Sequence, residues 1–244
     1  MNNTINKFAK NILPPSLLRF AKRMYRGTYL AKDGLDKKME AYLNYNNGFF
    51  VELGAYDGVL QSNTYHLEKR KNWKGVLVEP APHKFLECKA NRSSRNFIYC
   101  AACVPFDFKD EFVKIRYAGF FSTPLNVDTD LTDIEAHTHN GSQYLDEHET
   151  IFEFGAKAIP LNRFLEEANA PATIDFLSLD VEGAEKEVLR GIDHDQYRFK
   201  YLLIECRDFD ALNTYLQSVG YDFKEKLSHH DYLFSDRLNR WNSA

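Results

Sequence analysis

From Phe49 onward, short apolar runs alternate with stretches of helical periodicity, and this rhythm constrains the fold more than any other feature of the chain. FFVEL at 49–53, GVLVEP at 75–80, NFIYCAACV at 96–104, TIDFLSLD at 173–180 and YLLIEC at 201–206 read as strands. Helical stretches lie between and after them at 63–72, 82–92, 163–170, 182–191 and 210–220, the last two closing on Gly191 and Gly220, as helices that end in a left-handed residue do. Ser62 stands where a side-chain oxygen can take the first amides of its helix. Strands alternating with helices require right-handed crossovers, and so predict a mainly parallel sheet in a Rossmann-like α/β domain. YDFKEKL and DYLFS, around Ser228, His229 and His230, read as a C-terminal hairpin that puts an antiparallel strand at the far side of the sheet. EFVKIRYAG at 111–119 reads as a hairpin partner of the third strand, and KAIPLN at 157–162 as extended chain.

Two segments fall outside this rhythm. Residues 119–150 are polar and rich in turn formers; a connection this long in a compact domain is usually functional or disordered, and a flap over a site is the expectation. Residues 1–47 form an arm ahead of the domain at 48–244. Up to residue 26 the arm carries Lys7, Lys10, Arg19, Lys22, Arg23 and Arg26 and no acid. Phe8, Ile12, Leu13, Leu17, Leu18 and Phe20 fall on one side of two short helices divided by Pro14 and Pro15. Such a basic helical arm either packs on the domain with its charges in water, or makes a peripheral contact with a membrane surface or an anionic substrate.

Composition narrows the function classes. A net charge of -4 argues against a general nucleic-acid binder. No apolar stretch approaches the ~18 residues of a membrane span, and Pro14 and Pro15 interrupt the only candidate for a signal-peptide core. Four cysteines in 244 residues fit a cytoplasmic protein without a disulfide framework. Cys100 and Cys103 formally read C-x-x-C, but they lie in a predicted strand with no second pair and are expected to be structural.

The chemistry starts where the first strand ends. Glu52, Gly54 and Gly58 give acid-x-G-x-x-x-G. Ligands of open parallel sheets bind outside the carboxyl ends of the strands; Gly54 lets the chain turn there and Gly58 lets the backbone approach a ligand without a Cβ. The pattern is neither the dinucleotide fingerprint, since Tyr56 and Val59 stand at two of its glycine positions, nor a P-loop, which needs Gly-Lys-Ser/Thr. Glu79 closes the second strand 25 residues after Gly54, where a carboxylate can accept both hydroxyls of a ribose.

FVELGAYDGVLQSNTYHLEKRKNWKGVLVEPAP together with IDFLSLDVEGAEKEVLRG resembles the FkbM-type S-adenosylmethionine (SAM)-dependent methyltransferases over residues 48–236. The specific elements are the glycine loop, SNT at Ser62–Thr64, WKG before the second strand, EP after it, and DVEGAE from Asp180 to Glu185. The resemblance implies a class I methyltransferase fold with a seven-stranded sheet, SAM as cofactor, and O-methylation of a sugar, glycan or glycosylated metabolite, as in polysaccharide biosynthesis. Two rival readings are a nicotinamide oxidoreductase, against which the missing fingerprint counts, and a non-catalytic SAM- or nucleotide-binding regulator of glycan synthesis.

On this reading Glu52, Gly54, Ala55, Tyr56, Asp57 and Gly58 are expected to hold the methionine end of SAM. Ser62, Asn63 and Thr64 meet its carboxylate at a helix start, Glu79 and Pro80 the ribose, and Ala101 and Ala102 border the adenine. Methyl transfer is an in-line displacement that needs an aligned and deprotonated acceptor oxygen. Asp180 and Glu205 end adjacent strands and face one crevice; they coordinate Mg²⁺ or hold and deprotonate the hydroxyl directly. Otherwise Asp180 and Glu182 cap the following helix. His229 or His230 can act as base near neutral pH; neighbours in a turn point apart, and His230 is taken as the candidate. A zinc site would need close ligands in suitable geometry, and no cysteine pair accompanies His137, His139 and His148, which read as solvated loop residues. Trp73 and Phe85 are expected to pack near the second strand.

Overall fold

The computed structural model describes residues 28–145 and 147–238. The strands are β1 (Phe49–Leu53), β2 (Lys74–Val78), β3 (Phe97–Tyr99), β4 (Ala102–Cys103), β5 (Phe112–Tyr117), β6 (Thr123–Pro124), β7 (Phe152–Ile159), β8 (Thr173–Leu179), β9 (Arg198–Glu205), β10 (Tyr221–Lys226) and β11 (Asp231–Asp236). The helices are α1 (Leu35–Met39), α2 (Tyr65–Lys71), α3 (Pro82–Asn91), α4 (Ile134–Gly141), α5 (Leu161–Glu167), α6 (Glu185–Leu189) and α7 (Phe209–Ser218). Seven strands form one sheet in the order β10-β11-β9-β8-β1-β2-β3. The sheet is mixed: β3, β2, β1, β8 and β9 run parallel, and β11 runs antiparallel between β9 and β10.

Both faces of the sheet are covered, as a buried parallel sheet requires. The strand period of two sends Val51, Leu53, Val76, Val78, Leu202 and Ile204 to one core, and Phe50, Leu77 and Leu203 to the other. Trp73 is fully buried in the second core beside Met39 and Leu43, which brings α1 and the turn after it onto the same face. The part of the arm at 1–27, with its proposed amphipathic helices, lies outside the described residues.

Two expectations change. The third strand is not continuous: β3 ends at Tyr99, and Ala102–Cys103 joins a second, four-stranded sheet, β4-β7-β5-β6. EFVKIRYAG does not form a hairpin with it. β5 instead pairs antiparallel with β7, Phe112 facing Lys157 and Tyr117 facing Phe152. Val113 and Ile115 of β5 bury one face together with Ala156 of β7 and Val104. The partner that completes this face lies some 40 residues along the chain, so local periodicity pointed to the wrong neighbour.

Residues 119–150 are not a structureless loop. They contain 3-10 turns at Gly119–Phe121 and Ser142–Tyr144, strand β6, and helix α4, whose first turn is capped by Asp133 accepting from Ala136 N at 2.9 Å. The segment folds back toward the carboxyl ends of β8 and β9, where Asp130 N donates to Gly183 O at 3.0 Å.

Candidate active site

A cavity of ≈ 420 Å³ opens across the carboxyl ends of β1, β2, β8 and β9. β1 builds its first wall. Because Phe50 enters the second core, Glu52 faces the same side. The Glu52 carboxylate accepts from Ser62 Oγ at 2.9 and 3.0 Å, Asn63 N at 3.0 Å, Thr64 Oγ1 at 2.6 Å and Arg92 Nη1 at 3.1 Å. Arg92, buried at the end of α3, donates its Nε to Glu68 at 2.7 Å. One buried Glu52–Arg92–Glu68 triad thus fastens the loop between β1 and α2. Ser62 Oγ also accepts from Tyr65 N at 3.0 Å, so it serves the first turn of α2 as expected.

Asp57 closes its own turn, accepting from Val59 N at 2.8 Å and Leu60 N at 2.7 Å. Gly58 (φ +77) abuts α3: a Cβ there would lie 2.8 Å from Arg92 Cγ and 2.9 Å from Cys88 Sγ. The residue expected to admit a ligand therefore admits a helix. Glu52, Gly54, Ala55, Tyr56, Ser62 and Asn63 line the cavity; Asp57, Gly58 and Thr64 stand behind it. Asn63 donates Nδ2 to Ser178 Oγ at 3.0 Å, tying the loop to β8.

Glu79 follows β2 and is buried at the cavity wall. Its Oε2 accepts from Tyr56 N at 2.8 Å and its Oε1 from Ala81 N at 2.9 Å. Burial pushes this carboxyl up to about 7 against the pull of the two amides. Each oxygen keeps acceptor capacity for a further donor. Pro80, Ala101, Ala102, Cys103, Val78 and Val188 make the neighbouring wall apolar. The break between β3 and β4 turns Ala101 and Ala102 onto it.

The other end is acidic. Asp180 follows β8 and Glu205 ends β9, and a carboxylate oxygen from each of Asp180, Glu182 and Glu205 lies within 4.8 Å of the others. Although its side chain is open to the cavity, desolvation by the surrounding protein pushes the Asp180 carboxyl above the usual carboxylate range, and Glu205 and then Glu182 push in the same direction. Glu182 occupies an unusual left-handed backbone, φ 55. Its carboxylate takes Arg207 Nη2 at 2.8 Å and lies 3.0 Å from His137 Nε2. Asp130 accepts from Arg207 N at 2.6 Å. Phe120, Phe121 and Tyr144 of the 119–150 segment form the facing wall, Phe121 stacked on Tyr144 with centroids 5.5 Å apart.

The structure thus brings Asp180 and Glu205 together beside the glycine loop, and leaves His230 out of the cavity lining. His230 sits half-buried at the rim, its ring 4.2 Å from that of His229, and burial lowers its pKa. His139 and His148 are exposed, whereas His137 is drawn in against Glu182. All four cysteines are free. Arg207, Arg92 and the aromatic wall were not read from the sequence, and His137 was read only as a solvated loop residue. Arg207 had a signal: it lies two positions past Glu205, at the same strand tip.

The strand order, with its one antiparallel strand beside the edge, and a cavity across the carboxyl ends of the parallel strands define a class I methyltransferase fold. The sequence profile of the methyltransferase FkbM domain matches residues 52–223, and the chain belongs to the FkbM methyltransferase family. Similar solved structures include the METTL16 MTase domain, with 10% identity and a TM-score of 0.39 over 82% of this chain and 64% of that one. A second is the methyltransferase FkbM from Methylobacillus flagellatus KT, with 15% identity and a TM-score of 0.43 over 85% of this chain and 56% of that one. A third is a SAM-dependent methyltransferase from Aquifex aeolicus, with 11% identity and a TM-score of 0.36 over 92% and 97%. The chain spans less than two thirds of the length of the first two. No curated protein matches. Among the described residues, no helix is long and apolar enough to cross a membrane.

Proposed function

We propose that the protein transfers a methyl group from SAM to a hydroxyl of a sugar, glycan or glycosylated metabolite. The observation that carries this reading is the pairing of Asp180 with Glu205 in the same cavity as Glu79 and the glycine loop. Glu79 receives the ribose hydroxyls, the apolar wall of Ala101 and Ala102 receives the adenine, and Asn63 stands at the methionine end. The methyl group then points at the acidic end. An Asp180 carboxyl pushed upward by desolvation and by the Glu205 carboxylate beside it is suited to take a proton from a hydroxyl as the methyl arrives. The ring faces of Phe121 and Tyr144 suit the apolar face of a pyranose, and the acids suit its hydroxyls.

The three carboxylates also have the hard-oxygen chemistry that Mg²⁺ selects. Asp180, Glu182 and Glu205 would hold the ion, which would supply Lewis-acid polarisation of the acceptor hydroxyl. The proton-transfer role given to Asp180 and Glu205 does not depend on it. The reading places the protein in the cytoplasm, with any membrane contact made by the arm.

Calorimetry with SAM and with nicotinamide dinucleotides tests the cofactor. Methyl release from radiolabelled SAM over a panel of sugars and glycans tests the acceptor class. Binding of SAM with turnover on a hydroxyl-bearing sugar is expected. Binding of a nicotinamide dinucleotide in place of SAM would refute the reading.

A further inference from the structure

Residues 119–150 connect β5 to β7 of the small sheet and supply its edge strand β6 on the way; the leading end of the segment meets Tyr56 directly and the trailing end reaches it through Lys84. At the leading end, Phe120 packs on the Tyr56 ring with centroids 4.2 Å apart. At the trailing end, Glu149 accepts from Lys84 Nζ at 2.7 Å and from Tyr117 OH at 2.8 Å. Lys84 Nζ in turn lies 4.5 Å from the Tyr56 ring centroid. Lys84 and Tyr117 are each only 1% exposed. An ammonium buried this deeply needs a carboxylate and benefits from a ring face; Glu149 and Tyr56 supply them. Tyr56 itself adopts φ 48, uncommon for a bulky residue, and its amide donates to Glu79 at 2.8 Å.

We infer that Tyr56 is a positioning residue that couples occupancy of the cofactor site to docking of the 119–150 segment, so that SAM binds first and completes the acceptor end. The inference rests on the proposed assignment of Glu79 to the ribose. Ribose hydroxyls donated to Glu79 fix the carboxylate that holds the Tyr56 N–H. The ring is then fixed as a platform for Phe120 on one side and Lys84 on the other. Docking of the segment brings Phe121, Tyr144 and His137 to the acceptor end. Such coupling is reciprocal, so whatever loosens the segment weakens the cofactor by the same factor. Neither Lys84 nor Glu149 lines the cavity. A substitution at Glu149 reaches the cofactor site through Lys84 and Tyr56, whereas one at Lys84 also changes the charge felt by Glu79.

The test is hydrogen exchange of the full chain with and without S-adenosylhomocysteine, alongside calorimetry with the same compound. In the parent the compound should slow exchange over 119–144. Glu149→Gln should speed exchange there without ligand and weaken the compound roughly fivefold or more, the lower end of measured couplings. Tyr56→Leu, which removes the platform and keeps a buried apolar side chain, should abolish the ligand-dependent slowing; it serves equally if Glu149→Gln does not fold. Tyr56→Phe keeps the ring and should retain the slowing. Slowing that persists undiminished in Tyr56→Leu, or a Glu149→Gln protein with a looser segment and parental affinity, overturns the coupling. A parent that does not bind the compound at all overturns the cofactor assignment beneath it.

Discussion

A Cβ on Gly54 would stand 1.9 Å from the backbone carbonyl oxygen of Asp180. The turns that follow β1 and β8 therefore cross in contact, and Asp180 N donates to Leu53 O at 3.4 Å across the same crossing. The glycine loop and the acidic end of the cavity owe their proximity to the missing side chain.

Gly54→Ala should accordingly be severe. The obstacle is backbone, which cannot rotate away, and φ is +74. The left-handed strain alone costs about 1–2 kcal/mol, and separating the turns adds to it. Urea unfolding should show a loss above about 2 kcal/mol, and calorimetry a loss of SAM binding. Gly155→Ala on β7, where the nearest atom is 3.5 Å from the new Cβ, should stay within about 0.5 kcal/mol of the parent.

Arg92→Met leaves Glu52 buried without its cation and leaves Glu68 with Lys69 alone, 2.6 Å away. Removing one partner of a buried ion pair costs about 3–5 kcal/mol, and urea unfolding should show it. The acid limb should change too. Burial would raise the Glu68 carboxyl, but Arg92 and Lys69 outweigh it and hold it below its ordinary 4.5. A depressed folded value means stability present above pH 4.5 and lost as pH falls through the folded value. In Arg92→Met that acid-dependent loss should be smaller than in the parent.

Glu79 titrates in the opposite sense. Its folded value, raised to about 7, means that the free protein loses stability as pH climbs from the ordinary 4.5 toward 7. A ribose hydroxyl donates more strongly to the carboxylate than to the acid, so binding favours the ionised form. The affinity for S-adenosylhomocysteine should fall as pH drops below about 7, by up to about tenfold per pH unit. Glu79→Gln should bind more weakly at pH 8 and lose most of this dependence. Calorimetry between pH 5.5 and 8.5 reads both; a parent affinity that is flat over that range would move the ribose elsewhere.

Asp180→Asn keeps size and removes charge. The variant should fold, bind SAM, and transfer methyl about 10²–10⁴ times more slowly. Glu205→Gln separates two routes. With direct proton transfer, EDTA changes nothing and each substitution slows turnover. With a cation between the carboxylates, EDTA abolishes turnover and Mg²⁺ restores it. Near-parental turnover of Asp180→Asn would leave Asp180 as a turn residue.

The sequence by itself determined the parallel strands, the helices between them, and the residues at the strand tips. Apolar period and turn chemistry are local, so Glu79, Asp180 and Glu205 could be placed at one edge of a sheet before any fold was known. The motifs also carried the family. Tertiary structure decided what those residues touch. Glu52, expected at the cofactor, lines the cavity and also fastens a loop through Arg92, 40 positions away. Gly58 makes room for α3, and β5 finds its partner in β7 rather than in the strand before it. His137, read as a solvated loop residue, is drawn against Glu182, while His230 stays at the rim. Each of these depends on which distant surfaces bury together: a buried charge or an apolar strand face takes the partner that the folded chain brings to it, and sequence spacing does not encode that choice.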